Sequence, residues 1–428
     1  MSMNELSSPS TRAAPRSALR HEAFRAVWIA AICSYIGNWL QDVGEAWTML
    51  SLTKSPLLLA LVTTSFTVPS VALLLPAGVL SDRVDRRRLL IAAQSMLVVV
   101  SALLAIVTAL KLVTPAVILA ASAALGAGSA LSAPAWQTLV PELVPRSEMP
   151  EAVTLNSVAF NIARTVGPAL AGMIIAAAGP AAAFGLNAVS FLAVIHVLRK
   201  YPEVRRVAAK PQSGRREPIL RAFWTALAYA HRSSALRALY AAISAFAIAA
   251  ASIPALLPMF AKETLGATER GYGVLLGALG AGAITGALLL KRLRHAVSPR
   301  VLVAWIVALY AACAALFTTT HTIPAAAALL FPAGIGWLCS LSTLNALVQL
   351  TSPHWVKSRA MALYQLAFWF FWSIGSYAGG EIASRVGVPL TMRVAAILTL
   401  GSAAVMALLR IPTFADDADS VPTPLSAR

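Results

Sequence analysis

The sequence predicts an all-α membrane protein of twelve transmembrane helices in two pseudo-symmetric six-helix bundles. Three observations carry that reading. Of 428 residues, 58% are hydrophobic and only 12% are charged, and the mean hydropathy is +0.74. A soluble domain carries about 25% charged residues, so most of this surface cannot face water. Twelve apolar stretches are long enough, or nearly so, to cross a hydrocarbon core of ~30 Å, which takes about 20 helical residues. The two halves of the chain also echo one another.

In order, the spans run near 27–51, 57–79, 89–110, 115–139, 152–178 and 181–198, then 236–260, 271–290, 300–318, 323–347, 359–381 and 388–410. Lipid excludes unsatisfied backbone, and these stretches are too long and unalternating for barrel strands, so they are helices. Residues 1–20 and 413–428 are polar and expected to be disordered tails. The bundles are expected at 21–198 and 236–412, joined by the longest polar stretch, 199–235. In that linker Ile219, Phe223, Leu227 and Ala230 fall at helical spacing, with Arg221 and Arg232 nearby. This reads as a basic amphipathic helix on the inner membrane surface, or as a flexible linker with scattered charge.

The net charge is +17. Most Lys and Arg sit on the N-terminal tail, the even-numbered loops and the C-terminus. The opposite loops hold few, chiefly Lys54, Lys111, Lys262, Arg270 and Arg385. That asymmetry puts both termini in the cytoplasm. It explains the charge without nucleic acid, for which no reading motif is present. Cys33, Cys313 and Cys339 all fall within spans, an odd and buried set that makes no disulfide framework. The segment before Val27 is too long and polar for a signal peptide, so the first span is expected to stay in the mature protein.

A shift of 208 positions pairs Gly78 with Gly286, Arg86 with Arg294, Gly126 with Gly334, Gly128 with Gly336, Pro145 with Pro353 and Gly172 with Gly380. Alanine matches count for little in so Ala-rich a chain; glycines and prolines in register across several spans count for more. Six spans is an even number, so both halves enter the membrane from the same side. They are parallel repeats about an axis along the membrane normal, with a substrate site expected near the midplane between them.

Between spans two and three stands GVLSDRVDRRR (78–88). It resembles the signature loop of the major facilitator superfamily. In span five, NIARTVGPALAG (161–172) resembles the Gly-Pro motif of that superfamily's antiporters. The segment 131–164, with its echo at 341–360, is similar to the branch of enterobactin-exporter-like and macrolide-efflux-like carriers. The resemblance spans about residues 20–410. It implies the major facilitator fold and a secondary transporter of the bacterial inner membrane.

The loop is expected on the cytoplasmic side. Gly78 would allow close helix approach. Asp82 could accept from backbone N–H groups at a helix N-terminus. By the resemblance that helix is span eleven, beginning near Ser358–Met361, and the contact would latch the halves shut. Arg83, Asp85 and Arg86 would support the latch or contact lipid phosphates; the arginines otherwise serve only as topology determinants. Leu290 stands where a second Asp would, so the latch is one-sided.

On a helix, Tyr35, Asn38, Asp42 and Glu45 share a face, with Gln41 at its edge. A charge at the centre of a span costs at least ~2.5 kcal/mol, so two imply a compensating environment. The resemblance puts the first span on the central cavity. The second-half counterparts, Ala250 and Ile253, are apolar, so the acidic function is confined to the first half. In span five Asn161 and Arg164 share a face with Thr154 and Ser157. Counted from the span ends, Asp42 lies about 22 Å deep and Arg164 about 18 Å, close enough to meet. Either Asp42 or Glu45 then binds the coupling proton while Arg164 competes with it or engages an anionic substrate, or the groups form a structural ion pair. Many drug–proton antiporters of the superfamily carry an Arg in span four; residues 115–139 have none.

Gly167, Pro168 and Gly172 let span five kink and pack; the resemblance adds sealing of a proton leak. Tyr364, Phe368 and Trp372 share a face of span eleven and would stack on substrate or simply pack. Gln137, Trp337 and Asn345 are further candidates to contact substrate. No phosphate loop, metal cluster or enzyme site is recognisable, so no cofactor and no enzymatic activity are expected. The function expected is proton-coupled export of a small, partly lipophilic molecule (siderophore, drug or metabolite) by a monomer in the bilayer. An uptake symporter or facilitator, and a membrane sensor that does not transport, are the alternatives.

Overall fold

The computed structural model describes residues 17–201, 204, 219–353 and 356–408. The expected tails lie almost wholly outside these residues. At its start the chain differs from expectation: Ala18–Arg20 is a 3-10 turn, and Ala18 is buried against Phe24 and its neighbours. Its neighbour His21 is tied to Glu148 at 2.9 Å.

The helices are α1 Glu22–Leu52, α2 Pro56–Arg83, α3 Arg86–Ala109, α4 Pro115–Leu139, α5 Met149–Lys200, α6 Ile219–Arg232, α7 Ser234–Ala250, α8 Ser252–Glu263, α9 Glu269–Ala296, α10 Pro299–Phe317, α11 Ile323–Thr351, α12 Lys357–Val386 and α13 Val388–Leu408. Their starts are written locally. Ser55, Thr114, Ser233 and Thr268 each accept from a backbone N–H three residues on, which satisfies one of the orphan donors of a helix start. Pro56 and Pro115 follow two of these caps, where a missing N–H costs nothing.

Ten helices among the described residues are long and apolar enough to cross a membrane. One of them is α5, whose 52 residues would reach about 78 Å as a single rod, far more than the ~30 Å needed. It breaks at Gly179, with φ 79° and ψ 170°, a conformation that glycine adopts without a Cβ penalty. The first leg runs parallel to α1: Trp28 Nε1 donates to the Leu155 carbonyl at 2.8 Å, and Gly167 lies against Trp39. The second leg returns antiparallel, with Phe184 against Gly44 and Ser190 against Gly37. Helices α7 and α8 cross together as Ser234–Glu263. With α5 divided at Gly179 and the 30-residue α12 added, the described residues are compatible with the twelve spans expected.

Each bundle repeats one packing scheme. Helix α2 packs on α4 and α3 on α4 and α5; α9 packs on α11 and α10 on α11 and α13. The glycines paired by the 208-residue shift occupy equivalent contacts. A Cβ on Gly126 would sit 2.0 Å from the Phe66 carbonyl on α2, and one on Gly334 would sit 1.9 Å from the Leu279 carbonyl on α9. Gly128 meets Leu97 on α3, and Gly336 meets Ile306 on α10. Gly172 meets Gly273 on α9, and Gly380 meets Ala60 on α2. That last pair crosses between the halves, α5 on α9 and α12 on α2, which is what a two-fold relation requires. Small residues let backbones approach this closely in lipid. Gly126→Ala and Gly334→Ala should each lower stability by about 2–3 kcal/mol, since a backbone carbonyl must move. Gly128→Ala should cost less, because its tight contacts are with the Leu97 side chain, and the nearest backbone atom, the Ala93 carbonyl, lies at an ordinary 3.8 Å. Thermal unfolding of the purified variants gives the ranking; a Gly126→Ala midpoint equal to the unaltered chain's would contradict it.

Candidate functional site

Two neighbouring cavities open between the helices. The larger, about 510 Å³, lies inside the first bundle and reaches α12. The smaller, about 260 Å³, lies between the bundles, walled by α1, α2, α8, α9 and α12. Phe66, Thr67 and Trp369 line both.

Helix α1 supplies polar groups to each. Asn38 is exposed to the larger cavity, beside Tyr35. Asp42, one turn on, is exposed to the smaller one. It has no hydrogen bond or ion pair among the described residues. Glu45 borders the same cavity but is only 3% exposed. Its Oε1 accepts from Gln41 Nε2 at 2.8 Å, and its Oε2 accepts from Ser122 Oγ on α4 at 2.5 Å. Gln41 Oε1 in turn accepts from Asn187 Nδ2 on the second leg of α5 at 3.2 Å. Asn187 also accepts from Ser190 at 3.1 Å. The two carboxylates thus differ in kind: one faces open space, and the other is the centre of a buried polar network joining three spans.

The expected pairing of Arg164 with Asp42 is not made. Arg164 is half-buried, with no hydrogen bond or ion pair among the described residues, and it lines neither cavity. The reason is register. Contacts of Trp28 with Leu155 and Trp39 with Gly167 set Arg164 level with Gly37. That is about 8 Å short of Asp42 along the axis. The Trp39 side chain packs against Gly167 in the interval. The side chain of Asn161 lies outside the described residues.

The other candidates divide. Gln137 is exposed to the larger cavity and Trp372 borders the smaller. Trp337 does not reach either; it packs among the rings of Phe246, Tyr310 and Trp372 at 5.3–5.5 Å between centroids. Phe368 packs on Trp369 and Trp372. Tyr364 is buried, 2% exposed, in the core of the second bundle. Asn345 accepts from Gln349 on its own helix at 2.6 Å.

In the 78–88 stretch, the expected close approach at Gly78 is not made among the described residues: a Cβ there would meet none of them within 4 Å. Asp85 caps α3, accepting from the Arg88 N–H at 2.9 Å. Arg86 is buried and bonds Glu142 at 3.3 Å, inside the first bundle. These two therefore fasten the loop to its own half, because each finds a partner nearer than the other bundle. The side chains of Asp82 and Arg83 lie outside the described residues.

The described bonds and close glycine contacts between the halves gather at the opposite end. Trp47 Nε1 donates to Glu269 Oε1 at 2.8 Å, and its ring stacks on Tyr272 at 5.8 Å. Lys262 donates to the Leu50 carbonyl at 3.0 Å and lies over the Trp47 ring. Beside this cluster, Gly172 closes on the backbone of Gly273 and Glu269. The Gly-Pro motif thus packs two ways: Gly167 inward on Trp39, Gly172 across to the other bundle. Sequence reasoning missed this seam, and also Ser122, Asn187 and Trp369. Asn187 inside an apolar run and Gln41 four residues before Glu45 were the available signals.

Comparison with known proteins agrees with the fold. The family model described as "Transmembrane secretion effector" matches residues 13–426. The staphyloferrin A transporter of Staphylococcus aureus is 26% identical over 175 residues, 40% of this chain and 44% of that protein. The enterobactin exporter EntS of Citrobacter koseri is 24% identical over 282 residues, 66% of each chain. The chain spans less than two thirds of the length of these curated relatives. A bacterial homologue of the human lysosomal transporter Spinster, solved inward-facing and unoccupied, superposes with TM-score 0.71 at 12% identity, covering 92% of this chain and 97% of that one. A mutant of the nucleoside transporter NupG gives 0.72 at 14%, covering 91% and 100%. Identities this low speak for the fold alone. The family match runs through both bundles, and the chain belongs to the transmembrane secretion effector family of the major facilitator superfamily.

Proposed function

We propose that the chain is a secondary active exporter that exchanges a small, partly lipophilic molecule for protons by alternating access. The observation that carries this is Asp42: an unpaired carboxylate on a cavity between two related bundles. A charge at such depth is costly and marks a functional group. Asp42 takes up the coupling proton from one side and releases it to the other as the bundles rock. A gradient supplies ~2.3 kcal/mol per charge per 100 mV, plus any pH difference. The names of the relatives, an enterobactin exporter and a staphyloferrin A transporter, support export of a small molecule. The Lys and Arg asymmetry supports an inner-membrane protein with cytoplasmic termini. Asp82 and Arg83, at the end of α2, would then hold the cytoplasmic side when it closes.

Excreted metabolites and drug sensitivity, compared between a deletion strain and complemented strains, test this. The unaltered chain should restore export, and Asp42→Asn at equal abundance should restore less than about a tenth of it. Full complementation by Asp42→Asn would remove the proton role. No difference between deletion and complement for any compound would remove export.

A further inference from the structure

The two cavities have different chemistry, and Phe66, Thr67 and Trp369 are walls of both. Among the described residues, the lining of the larger holds no Asp, Glu, Lys, Arg or His. It offers ring faces, Tyr35, Trp136 and Phe160 among them, and the amides of Asn38, Gln137 and Asn156. Among the described residues, the smaller has two acids and no basic residue in its lining. Both oxygens of Glu45 are already engaged by Gln41 and Ser122, which leaves Asp42 as the open anion. Around it stand the rings of Trp39, Tyr272 and Trp372. A carboxylate among aromatic faces, shielded from bulk water, favours a cation on both counts.

The cavities are close enough for one molecule. Asn38 in the larger and Asp42 in the smaller are four residues apart on α1, about 6 Å along the axis. Trp369, 40% exposed, borders both. We propose that the two cavities form one bipartite site for a lipophilic aromatic cation. Its uncharged ring system sits in the first-bundle cavity, its positive group lies against Asp42, and Trp369 is the partition over which it bends. The inference rests on the exporter reading and narrows its substrate class. An anionic chelator would meet Asp42 and, among the described residues, no basic side chain in either lining, so the site disfavours it.

Tetraphenylphosphonium and tetraphenylborate have the same shape and opposite charge. Triphenylphosphine oxide is a related neutral probe. Equilibrium binding of each to the full chain in nanodiscs, with empty nanodiscs subtracted, reads the charge preference directly. The phosphonium should bind at least about tenfold more tightly than the borate. Asp42→Asn should erase that difference and leave the neutral probe unchanged. Phe160→Ala should weaken the phosphonium and the neutral probe alike. Preference for the borate, or a preference that survives Asp42→Asn in a variant with an unchanged elution profile, overturns the inference. If Asp42→Asn does not fold, the preference of the unaltered chain decides alone. Binding with the expected preference but no phosphonium movement in proteoliposomes would overturn the exporter reading and leave the site standing. Transport without charge preference would do the reverse.

Discussion

Gly172→Leu is expected to abolish transport, a fall of about 100-fold or more, in a protein that still folds and reaches the membrane. A Cβ at this position would lie 2.6 Å from Gly273 Cα, 2.9 Å from the Glu269 carbonyl and 3.1 Å from Gly273 N. All three are backbone atoms, so no rotamer change relieves the overlap. Helices α5 and α9 must part, and a gap of even 1 Å or so forfeits much of the dispersion across the seam. The bonds beside it go too: Trp47 to Glu269 and Lys262 to the Leu50 carbonyl. Each bundle's internal packing is untouched by this change, which is why folding survives. In the exporter proposed above, alternating access requires that this end close once per cycle, and a chain that cannot close it only leaks or stalls. Gly277→Ala is the control, because its Cβ would meet Ala169 at an ordinary 3.5 Å. Substrate uptake into everted vesicles measures the effect. Thiol labelling of Tyr272→Cys, in a chain freed of Cys33, Cys313 and Cys339, reports whether the seam is open. Transport by Gly172→Leu at the unaltered rate would defeat the prediction, as would equal failure of Gly277→Ala.

The spans were legible because the hydrocarbon core imposes a length and a polarity that little else overrides. The turn inside α5 was legible for the same reason, as a gap between stretches 152–178 and 181–198, and Gly179 with Pro180 fills it. The repeat was legible because its glycines touch backbone. Gly126 and Gly334 face carbonyls at 2.0 and 1.9 Å in the two bundles, and no other residue fits there. What failed was register between helices. Depths counted from span ends made Asp42 and Arg164 neighbours, but the packing of Trp39 on Gly167 offsets them. Periodicity also fails where a helix carries rings on every side. In α12, Phe368 through Trp372 are all aromatic, and spacing selects a face without saying what meets it. Tyr364 went to the core and Trp369 to the cavities. The first span of the second half read as one helix near 236–260, whereas it divides at Ala251 into α7 and α8. Pro254 and Pro258 were the sign of it, because each removes a backbone donor from the ladder.

Glu45 and Asp42 should separate cleanly in a substitution series, since one is a network centre and the other an open anion. Glu45→Leu strands Gln41 Nε2, which now donates at 2.8 Å, and turns Ser122 Oγ, now donating at 2.5 Å, back to the Ile118 carbonyl of its own helix at 3.0 Å. It also loosens Gln41 for Asn187, so three spans lose a shared tie. Bonds between helices in lipid are worth about 0.6–2 kcal/mol each, and losing this interhelical tie with one donor orphaned should cost about 2–4 kcal/mol. Ser122→Ala removes one donor and should cost roughly half as much. Glu45→Gln keeps an acceptor for Gln41 and an amide that the Ser122 hydroxyl can face by rotating, so it should cost least. Thermal midpoints of the three purified variants should fall in that order. Transport should follow a different order: Glu45→Gln should keep at least about half the unaltered rate, while Asp42→Asn, which disturbs no hydrogen bond, loses most of it. The crossing of the two rankings is the informative result. A Glu45→Gln variant that melts normally but cannot couple export to protons would move the proton site from the open cavity into the buried network.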